Sequence, residues 1–322
     1  MKNKPFKTYR QQLSILRDRN LDVGNTSKTM RYLEEENYYN IVNGYKRPFL
    51  KRDIDGKTIH PEEFKNGSSL DEMHSLYMFD RELRTIFLKY FLTFESNLKS
   101  RVSYRFSEMF KDRNSYLDFN NFSSRSEKLK DVLKTINILS STISNYATKR
   151  GTSIQHYIDA HNEVPLWVLS GYLTMGNIGY FYSCSVDSLK NIIVQDFNKQ
   201  YNRDYRREHK KLSLKSDDLD GIIQTINSFR NVCAHEEILY THKIKRPRRK
   251  SGIKNYINVE LPTQDNLFTV YFMLTLVLRK KDKKNLQKDL KNVFSKFSNN
   301  FKSILFSDIK DLMGFRDDWD NL

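Results

Sequence analysis

Cysteine is nearly absent: Cys184 and Cys233 are the only two in 322 residues. Two thiols cannot frame a small secreted domain with disulfides, so a reducing compartment is expected. Proline and glycine are also scarce, at 6 and 11. So few turn-formers argue against a sheet-rich fold with many reversals and favour helices. The longest apolar run, about Leu267 to Leu278, is too short to span a bilayer and reads as a buried helix. The opening Met1-Lys2-Asn3-Lys4-Pro5-Phe6-Lys7 lacks the apolar core of a secretion signal, and a cytoplasmic location is expected. There is no internal repeat, no low-complexity segment, no phosphate-cradling glycine loop and no His/Cys cluster. Neither a metal nor a cofactor is expected.

What is abundant is positive charge. Fifty-five Lys and Arg against 39 Asp and Glu leave a net charge of +16. Such a chain attracts polyanions, and nucleic acid fits better than a membrane surface, because no helix opposes a basic face to an aromatic one. The charge is concentrated in two runs. Residues 199–215 include Arg203, Arg206 and Arg207; residues 243–254 include Lys243, Lys245, Arg246, Arg248, Arg249 and Lys250 with no acid. These nine are the expected RNA-binding residues, since phosphate contact rests on Lys and Arg. Alternation over Tyr240–Lys245 and Tyr256–Leu261 predicts a β-hairpin presenting the second run.

The coarse organisation is helical. A helix is expected over 8–20 with Leu13 and Leu16 inward, and a second from a Thr26-Ser27 cap to about Tyr39. Residues 51–69 form a connector. A long amphipathic helix is expected from Leu70 to about Phe110, with Asp80 and Arg84 as a surface i,i+4 pair. Pro165 and Trp167 open a further helix, with Trp167 a core anchor. Residues 1–69 would form an N-terminal helical subdomain and connector, and 70–322 a helical domain. The expected fold class is mainly α, with a small β-hairpin insertion.

Three stretches place a histidine five or six residues after an arginine: Arg150 to His156, Arg203 to His209 and Arg230 to His235. The first reads as a loop and the second as a solvated basic face. The third differs. Ser216-Asp217-Asp218 is a plausible helix start. Ile222, Ile223, Ile226, Phe229 and Cys233 then form one apolar face at about 100° per residue. On that wheel Asn231 and His235 lie roughly opposite the face, and Arg230 borders it.

These residue types suit metal-independent RNA cleavage. The 2′-OH attacks the adjacent phosphate; a histidine can move the protons, and an arginine fork can stabilise the phosphorane. Asn231 can hold the imidazole or a phosphate oxygen. One His and one Arg make a thin site, so a homodimer with two copies in one cleft is expected.

The Arg-Asn-x-x-x-His helix resembles the HEPN superfamily of ribonucleases and toxins. The whole chain resembles the Abi-like (AbiD/AbiF) abortive-infection proteins. The resemblance rests on Tyr32-Leu33, Asn37-Tyr38-Tyr39, Gly44-Tyr45 and Pro48-Phe49. It continues with Leu76-Tyr77-x-Phe79-Asp80-x-x-Leu83-Arg84 and Glu95. It ends with Val164-Pro165-Leu166-Trp167, Leu173-Thr174-Met175-Gly176, Met313-Gly314-Phe315 and Trp319. Gly171 departs from it, standing where an acidic residue would be expected. The resemblance implies a HEPN-type helical bundle, growth arrest in phage defence, and a role for Glu95 in orienting Arg230 or His235. The expected catalytic set is therefore Arg230, Asn231, His235 and Glu95, with RNA as substrate.

Two other readings fit the sequence: a protein that holds a structured small noncoding RNA without cutting it, and an interaction module whose motif helix only forms the dimer. A bound regulatory RNA or an antitoxin partner would restrain the activity.

Overall fold

Ser69 and Glu72 begin the longest element. The Glu72 carboxylate accepts the Ser69 N–H at 3.2 Å, and the Ser69 hydroxyl accepts the Glu72 N–H at 3.2 Å. This reciprocal cap satisfies two donors that an uncapped helix end leaves open. From it runs α3, Leu70–Met109. The structure, a computed structural model, describes residues 5–206, 211–245, 253 and 262–321. It is mainly helical; among the described residues strand pairing is confined to isolated bridges.

The chain forms two compact units. One comprises Met1–Ile86, Val232–His242 and Leu286–Asn321; the other comprises Phe87–Asn231 and Lys243–Asn285. Residue 69, the expected end of an N-terminal subdomain, lies inside the first unit, one residue before α3 begins.

The first unit contains α1 (Tyr9–Asp18), α2 (Thr26–Glu36), the start of α3, the larger part of α11 (Lys280–Phe297) and α12 (Phe306–Met313). Leu13 and Leu16 are buried on α1 as their spacing predicts. The α2 cap is Asn25, whose side chain accepts the Lys28 N–H at 3.1 Å, so Thr26 is the first helical residue rather than the cap. Phe79 packs against Phe294, Phe297 and Phe306 with ring centroids 5.4–6.0 Å apart. Phe315 and Trp319 of the tail stack edge-on against Phe294.

The second unit holds the rest of α3, α4 (Leu129–Ala147), α5 (Ser153–His161), α6 (Leu166–Leu169), α7 (Met175–Cys184), α8 (Asp187–Asp204), most of α9 (Ser216–Ala234) and α10 (Leu267–Val277). Every residue of α10 is buried, and among the described residues no helix is long and apolar enough to cross a membrane. Phe106, Phe122 and Phe181 form an aromatic cluster.

One expectation needs correction here. Trp167 is 58% exposed: α6 is a single turn whose Leu166 and Leu169 face inward, which leaves Trp167 on the outer side. Most of the expected β-hairpin, 246–252 and 254–261, lies outside the described residues. Of its described part, Ile244 pairs with Asp265 in an isolated antiparallel bridge.

Candidate active site

Helix α9 carries the motif. Its Asp218 carboxylate accepts the Lys215 N–H at 2.9 Å at the start, and Ile222, Ile223, Ile226, Phe229 and Cys233 are all buried, the face the periodicity predicts. Asn231 is exposed, and Arg230 is partly so.

The helix stops at Ala234, one residue short of the histidine. The Glu237 N–H donates to the Val232 carbonyl at 3.0 Å and the Glu236 N–H to the Cys233 carbonyl at 3.4 Å. Glu236 sits at φ +56°. Together these make a Schellman closure with Glu236 in the left-handed position that glycine usually fills. His235 is therefore the C-cap residue rather than a member of the helical wheel, because the closing bonds redirect the chain there. It is exposed. Cys233, two residues back, is inert by contrast: burial pushes its thiol up to about 12, far from the thiolate range a nucleophile needs.

Glu95 of α3 lies beside Arg230. Its Oε2 is 3.7 Å from Arg230 Nε, and its Oε1 is 2.8 Å from Lys99 Nζ. The first separation is an ion pair but too long for a hydrogen bond. Glu95 Oε2 and Arg230 Nε are both buried and have no hydrogen-bond partner among the described residues. The guanidinium is thus held by charge, with hydrogen-bonding capacity left over, and 25% of the Arg230 side chain stays open. Glu95 and Lys99 also line a cleft of about 640 Å³ with Tyr104, Trp167 and Ser170.

Within the first unit a second cluster fixes the segment that follows His235. Asp80 is fully buried and Arg84 nearly so, a correction to the expected surface pair. Asp80 Oδ2 accepts from Tyr45 Oη at 2.7 Å, from Arg84 Nη1 at 2.7 Å and from the Leu239 N–H at 3.0 Å. Its Oδ1 accepts the Tyr240 N–H at 2.7 Å. Arg84 also donates to the Glu237 carbonyl at 3.4 Å. Burial raises the Asp80 carboxyl from its ordinary value, while the Arg84 cation and the donated N–H bonds pull the other way. The backbone from 237 to 240 is held at three points. The i,i+4 spacing puts Asp80 and Arg84 on one helical flank; the partner that buries them lies about 155 residues further along.

The expected RNA-binding residues are only partly described. Arg203, Arg206, Lys243 and Lys245 are exposed; Arg207, Arg246, Arg248, Arg249 and Lys250 lie outside the described residues. Arg203 and Arg206 line a cleft of about 470 Å³ with Lys199, Lys211 and Asn202. Among the described residues no three His, Cys, Asp or Glu side chains converge as a metal site requires.

These features define a basic, mainly helical protein whose Arg-Asn-x-x-x-His segment ends a helix with its Asn and His exposed. Residues 31–241 match the Abi-like protein family, and the chain belongs to that family. The match takes in the Asp80 and Arg84 helix, Glu95, the Trp167 block, the motif and the segment bound by Asp80. Membership points to abortive infection, a form of phage defence. No curated protein and no solved structure matches the chain.

Proposed function

We propose that the protein is a metal-independent endoribonuclease with a HEPN-type helical domain, acting in phage defence in the bacterial cytoplasm by cutting RNA. His235 serves as the acid/base, taking the proton from the attacking 2′-OH and supplying one to the leaving 5′-oxygen. Arg230 stabilises the phosphorane. Asn231 positions the phosphate or the imidazole, and Glu95 holds the Arg230 side chain. The products are a 2′,3′-cyclic phosphate and a 5′-hydroxyl. Two chains supply the site, since a single His and Arg leave half of the proton transfer and charge stabilisation unassigned.

The observation that carries this reading is the state of Arg230: paired with Glu95 at 3.7 Å, not saturated by hydrogen bonds, and partly open. An arginine with a purely structural role is expected to spend its donors on the protein. Its neighbours Asn231 and His235 are exposed, as substrate contact requires. The test is cleavage of single-stranded RNA in the presence of EDTA. Cutting that persists with chelator and disappears in His235→Ala supports the reading; cutting that survives His235→Ala ends it.

The Lys199, Arg203, Arg206 and Lys211 cleft favours a second reading. There the protein holds a structured noncoding RNA without cutting it, and tight binding with no cleavage by either protein would identify that case. Under the first reading such an RNA, or an antitoxin protein, restrains the enzyme.

A further inference from the structure

The polar face of α9 continues upstream of the motif. Gln224, Asn227, Ser228 and Asn231 follow one another at helical i, i+3, i+4 and i+7 spacing, and all four line a groove of about 380 Å³ against α7. The opposite wall carries Gly176, Gly179 and Tyr180.

The two glycines make this groove. A Cβ at Gly179 would stand 2.9 Å from Ile223 Cγ2, so the bare backbone lets α7 approach α9 closely there. One turn earlier, a Cβ at Gly176 would meet the Asn227 amide, at 3.6 Å from Nδ2, and the Thr174 hydroxyl at 3.7 Å, both at ordinary contact distance. The groove is therefore floored by an amide where a side chain from α7 would otherwise lie. Asn227 and Asn231 have no side-chain hydrogen bond to any described residue, whereas Gln224 Nε2 donates to Asp220 at 3.0 Å. Tyr180 is 44% exposed, and the Lys134 ammonium lies 5.0 Å from its ring centroid.

Unspent amides beside an open aromatic ring are chemistry for an unpaired nucleobase. Each amide offers a donor and an acceptor at once, which matches a base edge. An aromatic face supplies stacking, and single-stranded RNA is the form whose bases can be splayed out to reach both. We propose that this groove holds one unpaired base of an RNA strand, the base next to the phosphate at Arg230 and Asn231. Asn227 reads its edge, Tyr180 stacks on its face and Lys134 meets the flanking phosphate. The proposal rests on the ribonuclease reading for the identity of that phosphate, and it adds what that reading lacks: a source of base preference.

The test uses the full chain and a set of single-stranded 12-nucleotide RNAs. Each carries 2′-O-methyl riboses, which cannot be cleaved, and they differ in one base at each position in turn; affinity is read by fluorescence anisotropy. The native protein should favour one base at one position by about tenfold, and replacing that base by an abasic site should abolish the preference. Asn227→Leu, which removes the amide, and Gly176→Leu, which fills the groove, should each reduce the preference below about threefold. Gly176→Ala, whose added methyl fits at ordinary contact distance, should reduce the preference less than Gly176→Leu does, and thermal melts of all three variants check that they fold. Preference unchanged in both leucine variants overturns the proposal. So does a change in sedimentation of those variants without RNA, which would make the groove a contact between copies. The two readings separate cleanly. Cleavage of unmodified RNA with no base preference at any position removes the subsite and leaves the ribonuclease; base-selective binding lost in Asn227→Leu by a chain that cuts nothing does the reverse.

Discussion

Asp80 accepts the backbone N–H of Tyr240 at 2.7 Å, across 160 residues of chain. The same carboxylate holds the Leu239 N–H, the Tyr45 hydroxyl and the Arg84 guanidinium. Four donors converge on one buried acid, and two of them are backbone groups just downstream of His235. Asp80→Ala should therefore leave Arg84 buried without a counter-charge, at a cost of about 3–5 kcal/mol. Replacing both residues together, as Asp80→Ala with Arg84→Leu, should cost clearly less than the sum of the two single changes. Urea denaturation of the four proteins measures this; strict additivity would show that the pair is not coupled.

Glu95→Gln keeps the shape of the side chain and removes the charge that pairs with Arg230. A cleavage rate about tenfold lower is expected, or about 1.4 kcal/mol of transition-state stabilisation, with melting temperature little changed. A rate equal to the native one would mean that Arg230 does not depend on Glu95 for its placement.

Glu236 holds a left-handed conformation at φ +56° in the closure of α9. A β-carbon is strained there and glycine is not, although glycine gives back part of the gain in unfolded-state entropy. Glu236→Gly is expected to stabilise the protein by up to about 1 kcal/mol. A lowered melting temperature would show that the glutamate makes compensating interactions.

His74 stacks face to face on Tyr32 with centroids 3.7 Å apart. Burial lowers its pKa below the ordinary 6.5, against the pull of Glu36 and Asp71. Above 6.5 both folded and unfolded chains hold this histidine neutral, and its contribution is complete. As pH falls through that value the unfolded chain takes up a proton that the folded chain resists, and stability is lost. Melting temperatures between pH 7.5 and 5.5 should fall less steeply for His74→Phe than for the native protein. Parallel curves would remove His74 as a source of the dependence.

Much of this molecule is legible from local pattern. The long helix expected from Leu70 to about Phe110 runs from Leu70 to Met109. The apolar stripe of α9, from Ile222 to Cys233, is buried as its period requires. The apolar run read as a core helix is α10, buried throughout. In each case the information is in the spacing of side chains along one element, where helical geometry alone assigns the faces.

Other features depend on chain that returns from far away. An Asp and an Arg at i and i+4 look the same whether solvent or protein faces them, so Asp80 and Arg84 read as a surface pair until residues 237–240 arrive to bury them. A tryptophan in a short helix carries no sign of which side is covered, and Trp167 is left outside. A wheel places His235 on α9, but the bonds from Glu236 and Glu237 end the helix one residue earlier. The residues, their charges and their helical periods belonged to the sequence by itself. Which polar groups are desolvated, where α9 stops, and that Glu95 and Arg230 stand 3.7 Å apart were decided only in three dimensions. Burial and long-range hydrogen bonding are properties of what packs against a side chain, which its own neighbours in sequence do not specify.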